Sequence, residues 1–185
     1  HKNRVRVGVT AHEPLAVQSL MQLAIKALDT LGLNYRVVRK GDNIIEVKGD
    51  RFSIEYWQPL DIIKLNLDIV IVDEAAGIAV PLLHKIWLSF RRSIFSTTIH
   101  GYEGAGRGFS VRFLKRVRED PNTKLIQYEM LEPIRYAVDD PIERFQFDVL
   151  LLDAEPDQID PDDIKLIEAC EYEYLRLKPE ELFTE

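Results

Sequence analysis

Asp73 and Glu74 are neighbouring carboxylates that directly follow the apolar run Ile69-Val70-Ile71-Val72. The run is strand-length and β-branched throughout, so Asp68–Val72 reads as a strand covered on both faces of a parallel sheet. In open α/β sheets ligands bind at the carboxyl ends of such strands. There, one acid of the pair would hold a Mg²⁺ ion bridging nucleotide phosphates, and its neighbour would orient an attacking water. The same two acids also have a plainer use, as solvated residues that end a strand. Both readings stand on these residues alone.

A second segment adds to the first. Ser93–Thr98 reads as the next strand and ends in Ser96-Thr97-Thr98, small hydroxyl residues suited to relaying nucleotide state to a neighbouring loop. The loop that follows carries Gly101, Gly104, Gly106 and Gly108. Glycines of this density let backbone N–H groups approach an anion, and Arg107 adds a fixed positive charge. A helix over Phe109–Arg118 then presents Arg112, Lys115, Arg116 and Arg118, either as a phosphate-facing surface or as a solvated basic face. The motif Gly-x-x-x-x-Gly-Lys-Ser/Thr is missing, and no Gly-Lys dipeptide occurs. With it go the lysine and backbone nest that grip the β- and γ-phosphates. The expectation is a chain that starts downstream of that motif, or a fold that has lost its ATPase. The abrupt start at His1 favours the former.

The elements that must hold these residues alternate in type. Val5–Thr10 reads as a buried strand. Pro14 is suited to open a helix whose apolar face is Leu20, Leu23, Ala24, Ala27, Leu28 and Leu31, closed by Gly32 as a left-handed cap. Tyr35–Val38, Ile44–Val47 and Phe52–Trp57 read as strands joined at Gly41-Asp42-Asn43 and Gly49-Asp50. A helix follows from Pro81 to about Phe90, and Lys124–Tyr128 reads as a further strand. Asp140-Pro141 opens a helix to about Leu152 with Ile142, Phe145, Val149 and Leu152 on one side. Pro156 and Pro161 bracket an acidic linker before a last helix near Asp162. This alternation predicts an α/β fold with a largely parallel sheet.

The 185 residues fit one domain, and 46% hydrophobic with 30% charged residues is the mix of a globular chain. No apolar run reaches bilayer length. No charged-then-apolar leader opens the sequence, which predicts an intracellular protein. Cys170 is the single cysteine and is expected in the core; His12, His84 and His100 lack metal-ligand spacing and are expected on the surface or satisfied. Net charge is −7, but residues 1–128 hold 19 Lys+Arg against 13 Asp+Glu, whereas 129–185 hold 5 against 18. The basic part is the one able to approach a polyanion.

Taken in order and spacing, VDEAAGIAVPLL, STTIHGYEGAGRGFSVRFL and EPIRYAVDDPIERF resemble the ATPase module of the tRNA(Met) cytidine acetyltransferase family, over about Val5–Asp153. The resemblance implies a RecA-like, helicase-type P-loop NTPase domain over residues 1–153, truncated upstream of its phosphate-binding motif. It implies an acidic linker and helix over 154–185, leading toward an acetyltransferase domain. The implied reaction is formation of N4-acetylcytidine in tRNA in the cytoplasm, with ATP, Mg²⁺ and acetyl-CoA as cofactors. The acetyl-CoA site would lie outside this chain, and relatives in eukaryotes extend the partners to rRNA. Asp73 then matches the Mg²⁺-binding acid, Glu74 the catalytic one, and Arg135, in Glu132-Pro133-Ile134-Arg135-Tyr136, an arginine associated with ATP. Arg107 would assist on the nucleotide side, and Arg112, Lys115 and Arg116 would meet RNA. A different class of reading is a catalytically silent RNA- or protein-binding scaffold of the same fold.

Because the strong charge-assisted phosphate contacts are missing, the 185-residue chain alone is expected to bind Mg-ATP more weakly than micromolar. Isothermal calorimetry checks this, and a micromolar isotherm would refute it.

Overall fold

A computed structural model describes residues 4–98, 108–132, 134, 137–150 and 161–170. The chain divides into two units, residues 1–140 and 141–185. In the first, six strands form one sheet: β1 (Val5–Thr10), β2 (Tyr35–Lys40), β3 (Asn43–Gly49), β4 (Phe52–Tyr56), β5 (Ile69–Val72) and β6 (Ser93–Phe95). Their spatial order is β2-β3-β4-β1-β5-β6. β4, β1, β5 and β6 run parallel, and β2 and β3 extend the sheet antiparallel from β4. The parallel part carries the expected architecture, and the two glycine turns build the antiparallel part.

Helices cover both faces. α1 (Gln18–Thr30) buries Met21 and Leu28 with Val9, Val17, Ile44 and Val47 on one face. On the other, α2 (Pro59–Ile62) and α3 (Val80–Ser89) pack with Val70 and Val72 through Ile62, Leu83 and Ile86. Gly8 faces this second layer, where a Cβ would collide with the side chains of Leu67 and Ile62. Glycine at this position leaves room for the Leu67 and Ile62 side chains to pack over β1.

Several elements differ from expectation. Regular helix starts at Gln18 instead of Pro14, since residues 13–18 form successive turns (Ala16 N to Glu13 O, Gln18 N to Leu15 O). The Gln18 side chain anchors this entry: it donates to the Pro14 and Ile44 carbonyls and accepts from Ile44 N at 2.7 Å. At the other end Gly32 has φ 65°, and Leu33 N–H reaches back to Leu28 O, the left-handed cap expected. Residues Gly108–Leu114 form a π-helical segment that passes into the short α4 (Lys115–Glu119). Lys124–Tyr128 is not a strand: no ladder pairs with it, and Ile126 and Tyr128 are 61% and 87% exposed. An alternating apolar pattern without a neighbouring edge has no hydrogen bonds to make it a strand.

The second unit holds α5 (Pro141–Leu150) and α6 (Pro161–Glu168). Ile142, Phe145 and Val149 of α5 are exposed, and Leu152 lies outside the described residues. Cys170, expected in a core, is exposed in a left-handed turn just after α6. Among the described residues no helix is long and apolar enough to cross a membrane.

One charged cluster ties β1 to β4. The Arg6 guanidinium donates to both Glu55 oxygens (3.1 and 2.9 Å) and to the Asn66 carbonyl; Ser53 Oγ and Trp57 Nε1 also donate to Glu55. Burial alone would raise the Glu55 pKa, but these hydrogen bonds and the Arg6 charge outweigh it and hold it at about 2. The folded state therefore gains stability from Glu55 above the ordinary glutamate range, and loses it as pH falls toward 2. Glu55→Gln should lower stability at neutral pH and flatten its decline between about pH 4.5 and 2.5, measured as urea midpoints across that window.

Candidate active site

The strand order defines where a ligand would sit. The chain leaves the carboxyl end of β1 into α1 on one face of the sheet, and leaves β5 toward α3 on the other. Connections from adjacent strands that diverge to opposite faces open a crevice between them, the topological switch point at which α/β sheets bind ligands. Its walls are the turn after Thr10 and the turn after Val72. The two approach closely at His12, whose Cβ lies 3.9 Å from where a side chain on Gly77 would begin. Thr10 is fully buried at the base of this crevice, and its hydroxyl has no hydrogen-bond partner among the described residues.

Asp73 and Glu74 stand at this point. Asp73 N–H donates to the Thr10 carbonyl at 2.8 Å, which extends the β1–β5 ladder past Val72. Its Oδ1 accepts from Ser96 Oγ at 2.7 Å and from Glu74 N at 3.1 Å. Nothing among the described residues donates to Oδ2. Glu74 turns the chain with φ and ψ both 48°, a left-handed conformation that costs a side-chain-bearing residue about 1 kcal/mol or more. The 3₁₀ turn Ala75–Gly77 follows. It is pinned to the end of β6, with Ala75 N–H on the Ser96 carbonyl (2.9 Å) and Ala76 N–H on Thr97 Oγ1 (3.1 Å). Ser96 and Thr97 thus hold the acidic turn directly, a link across 23 positions in sequence that the composition of Ser96-Thr97-Thr98 only hinted at.

The donor set fits one kind of ion. No group of three or more His, Cys, Asp or Glu that could hold a metal exists among the described residues. A single oriented carboxylate with one lone oxygen suits Mg²⁺, which takes one or two protein carboxylates and completes its shell with water and substrate phosphates. It does not suit a metal held by protein alone.

The other expected site residues fall in two groups. Arg112, Lys115 and Arg116 are exposed on the π segment and α4, whose buried residues are Phe109, Phe113 and Val117. Lys115 lies 4.0 Å from Glu119, a weak exposed pair. Arg107 and Arg135 lie outside the described residues, as does His100. His12 is exposed, as expected. His84 is neither a surface nor a satisfied histidine: it is half-buried on α3, its Nε2 sealed from solvent and, among the described residues, without a partner. Its ring stacks obliquely near Trp87 and Phe113, at centroid distances of 6.2 and 5.4 Å. No sequence spacing could have placed it there, since Phe113 arrives from a helix 29 residues away.

Comparison with solved structures supports the architecture. Two crystal forms of the large terminase from a thermophilic bacteriophage align over 78% of this chain and 36–37% of theirs, with TM-scores of 0.52 and 0.51 at 15% and 17% identity. At that identity the likeness is one of fold, a mixed α/β architecture with a mostly parallel sheet. Sequence relatives are much nearer. The chain is 46% identical to the tRNA(Met) cytidine acetyltransferase TmcA of Thermofilum pendens over 98% of its length. It is 51% identical to that of Thermococcus sp. AM4 over 92%, and 48% identical to that of Methanopyrus kandleri over 91%. It spans only 20–23% of the length of these relatives. Residues 1–153 match the helicase domain of RNA cytidine acetyltransferase NAT10/TcmA, and the chain belongs to that family.

Proposed function

We propose that this chain is the ATP-hydrolysing part of a cytoplasmic RNA cytidine acetyltransferase, one that forms N4-acetylcytidine in tRNA. The observation that carries the reading is the Asp73-Glu74 turn at the mouth of the β1–β5 crevice, with Asp73 Oδ1 already held by Ser96. Residues 1–153 form the nucleotide module, and 154–185 lead toward an acetyltransferase domain that binds acetyl-CoA. The RNA partner is tRNA, with rRNA the further candidate.

In this reading Asp73 would hold Mg²⁺, with Oδ1 fixed by Ser96 Oγ and Glu74 N so that the carboxylate keeps its orientation. The ion, when bound with nucleotide, neutralises charge on the phosphates. Glu74 orients the attacking water and accepts its proton, from a backbone held rigid on both sides. Arg135 and Arg107 supply fixed positive charge to the phosphates. Arg112, Lys115 and Arg116 contact RNA phosphates. A catalytically silent scaffold would keep this last contact and lose the rest.

In the full-length protein, Glu74→Gln should retain nucleotide binding while slowing hydrolysis by roughly 10²-fold or more. Arg135→Ala should lower ATPase activity by about 10²–10³-fold, with RNA affinity kept within a few-fold. If Glu74 merely ends a strand, Glu74→Gln turns over ATP at the wild-type rate. Glu74→Gly should also melt above Glu74→Ala, by about 1 kcal/mol of stability, because glycine relieves the left-handed strain. Steady-state ATPase rates, nucleotide titrations and thermal melts on these variants check all three expectations.

A further inference from the structure

A groove runs between α3 and the π–α4 helix, lined by Val80, His84, Arg112, Lys115, Arg116 and Glu119. Its two sides differ in character. The α3 side contributes an apolar floor, the Val80 side chain and the His84 ring, backed by Trp87 and Phe113. The helical side contributes three cations against one carboxylate. Among the described residues Arg112 and Arg116 form no ion pair, so their charge is available to an incoming anion.

A row of cations beside a flat ring is the recipe for binding single-stranded nucleic acid: phosphates follow the charges while an unstacked base covers the ring. A duplex keeps its bases stacked inside and offers the floor nothing. An acidic peptide would satisfy the cations but leave the floor bare. We propose that this groove seats single-stranded RNA, with one base over Val80 and His84 and the adjacent phosphates on Arg112, Lys115 and Arg116. The inference rests on the reading that the protein acts on RNA, and adds to it the strandedness of the ligand and a base-contacting residue on a different element.

The state of His84 agrees with a base in place of a phosphate. Burial, helped by the charge of Arg116, lowers its pKa from the ordinary histidine value and so favours the neutral ring. A neutral ring is a poor partner for phosphate and a good stacking surface. Nε2 is enclosed, so that atom offers the groove no exposed donor or acceptor.

The test uses the 185-residue chain, a fluorescein-labelled single-stranded RNA of about a dozen unstructured nucleotides, and the blunt duplex of the same sequence. Anisotropy titrations are run at several salt concentrations. Wild type should prefer the single strand. His84→Ala should weaken single-strand binding about tenfold with an unchanged salt slope, and His84→Phe should restore it. Arg112→Ala with Lys115→Ala should reduce the salt slope by about 1.4, the value for two phosphate contacts on a single strand. Rescue by phenylalanine, with circular dichroism of each variant, separates loss of contact from loss of fold. Equal binding of duplex and single strand would overturn the proposal. So would an intact His84→Ala affinity beside a weakened cation variant, or displacement by polyglutamate as effective as by unlabelled RNA; all three leave the RNA reading standing or narrowed to phosphates. Failure of wild type to bind either RNA would instead overturn the RNA reading itself.

Discussion

The hydrogen bond from Asp73 N–H to the Thr10 carbonyl carries the pairing of β5 with β1 one residue past the last apolar position. β6 does the same from the opposite side, with Ser96 N–H on the Val72 carbonyl. The acidic turn therefore leaves the sheet clamped between two strands. The strands beneath it are themselves fixed by cores on opposite faces, Val9 in one and Val70 and Val72 in the other. Placing two carboxylates side by side at a sheet edge is electrostatically unfavourable, and the ladder bonds together with the Ser96 hydroxyl supply the compensation. Were the β1–β5 register to slip by one, Val70 and Val72 would change faces with Ile71 and Asp73 would lose its place opposite the Thr10 carbonyl.

From this turn a short mechanical path leads to the basic helix. Ala75 and Ala76 are buried, and their turn packs against the π segment that carries Phe109 and Phe113. Side chains larger than alanine would hold the two apart. Phe113 in turn touches His84 and Phe95, the latter on β6, just before the hydroxyls that hold the acidic turn. The acidic turn and the groove thus share one aromatic cluster, and closely packed interiors transmit displacement because they have little room to absorb it.

How much of this was legible in the sequence depends on range. Asp73-Glu74 after a β-branched run is a local signal, and β5 with its acids emerged where expected. The two glycine turns and the Gly32 cap were legible for the same reason, since backbone conformation at those positions is a property of one residue. The Ser96–Asp73 bond and the His84–Phe113 contact join separate elements, and no periodicity encodes which strand or helix will lie beside another. The π segment escaped because apolar residues at positions 109, 113 and 117 read equally well as an α-helical stripe. Lys124–Tyr128 shows the opposite error: the local pattern is that of a strand, but strands exist only in pairs.

The π segment changes how the basic side chains can move. Each carbonyl in it bonds one residue further along than in an α-helix, so its pitch and phase differ from those of α4. Converting even part of Gly108–Leu114 to α-geometry would lengthen the segment and twist everything after it about the helix axis. Arg112, Lys115 and Arg116 would then sweep around the aromatic cluster like the teeth of a key turned in its lock. A small axial strain at one end would be read at the other as a change in bearing.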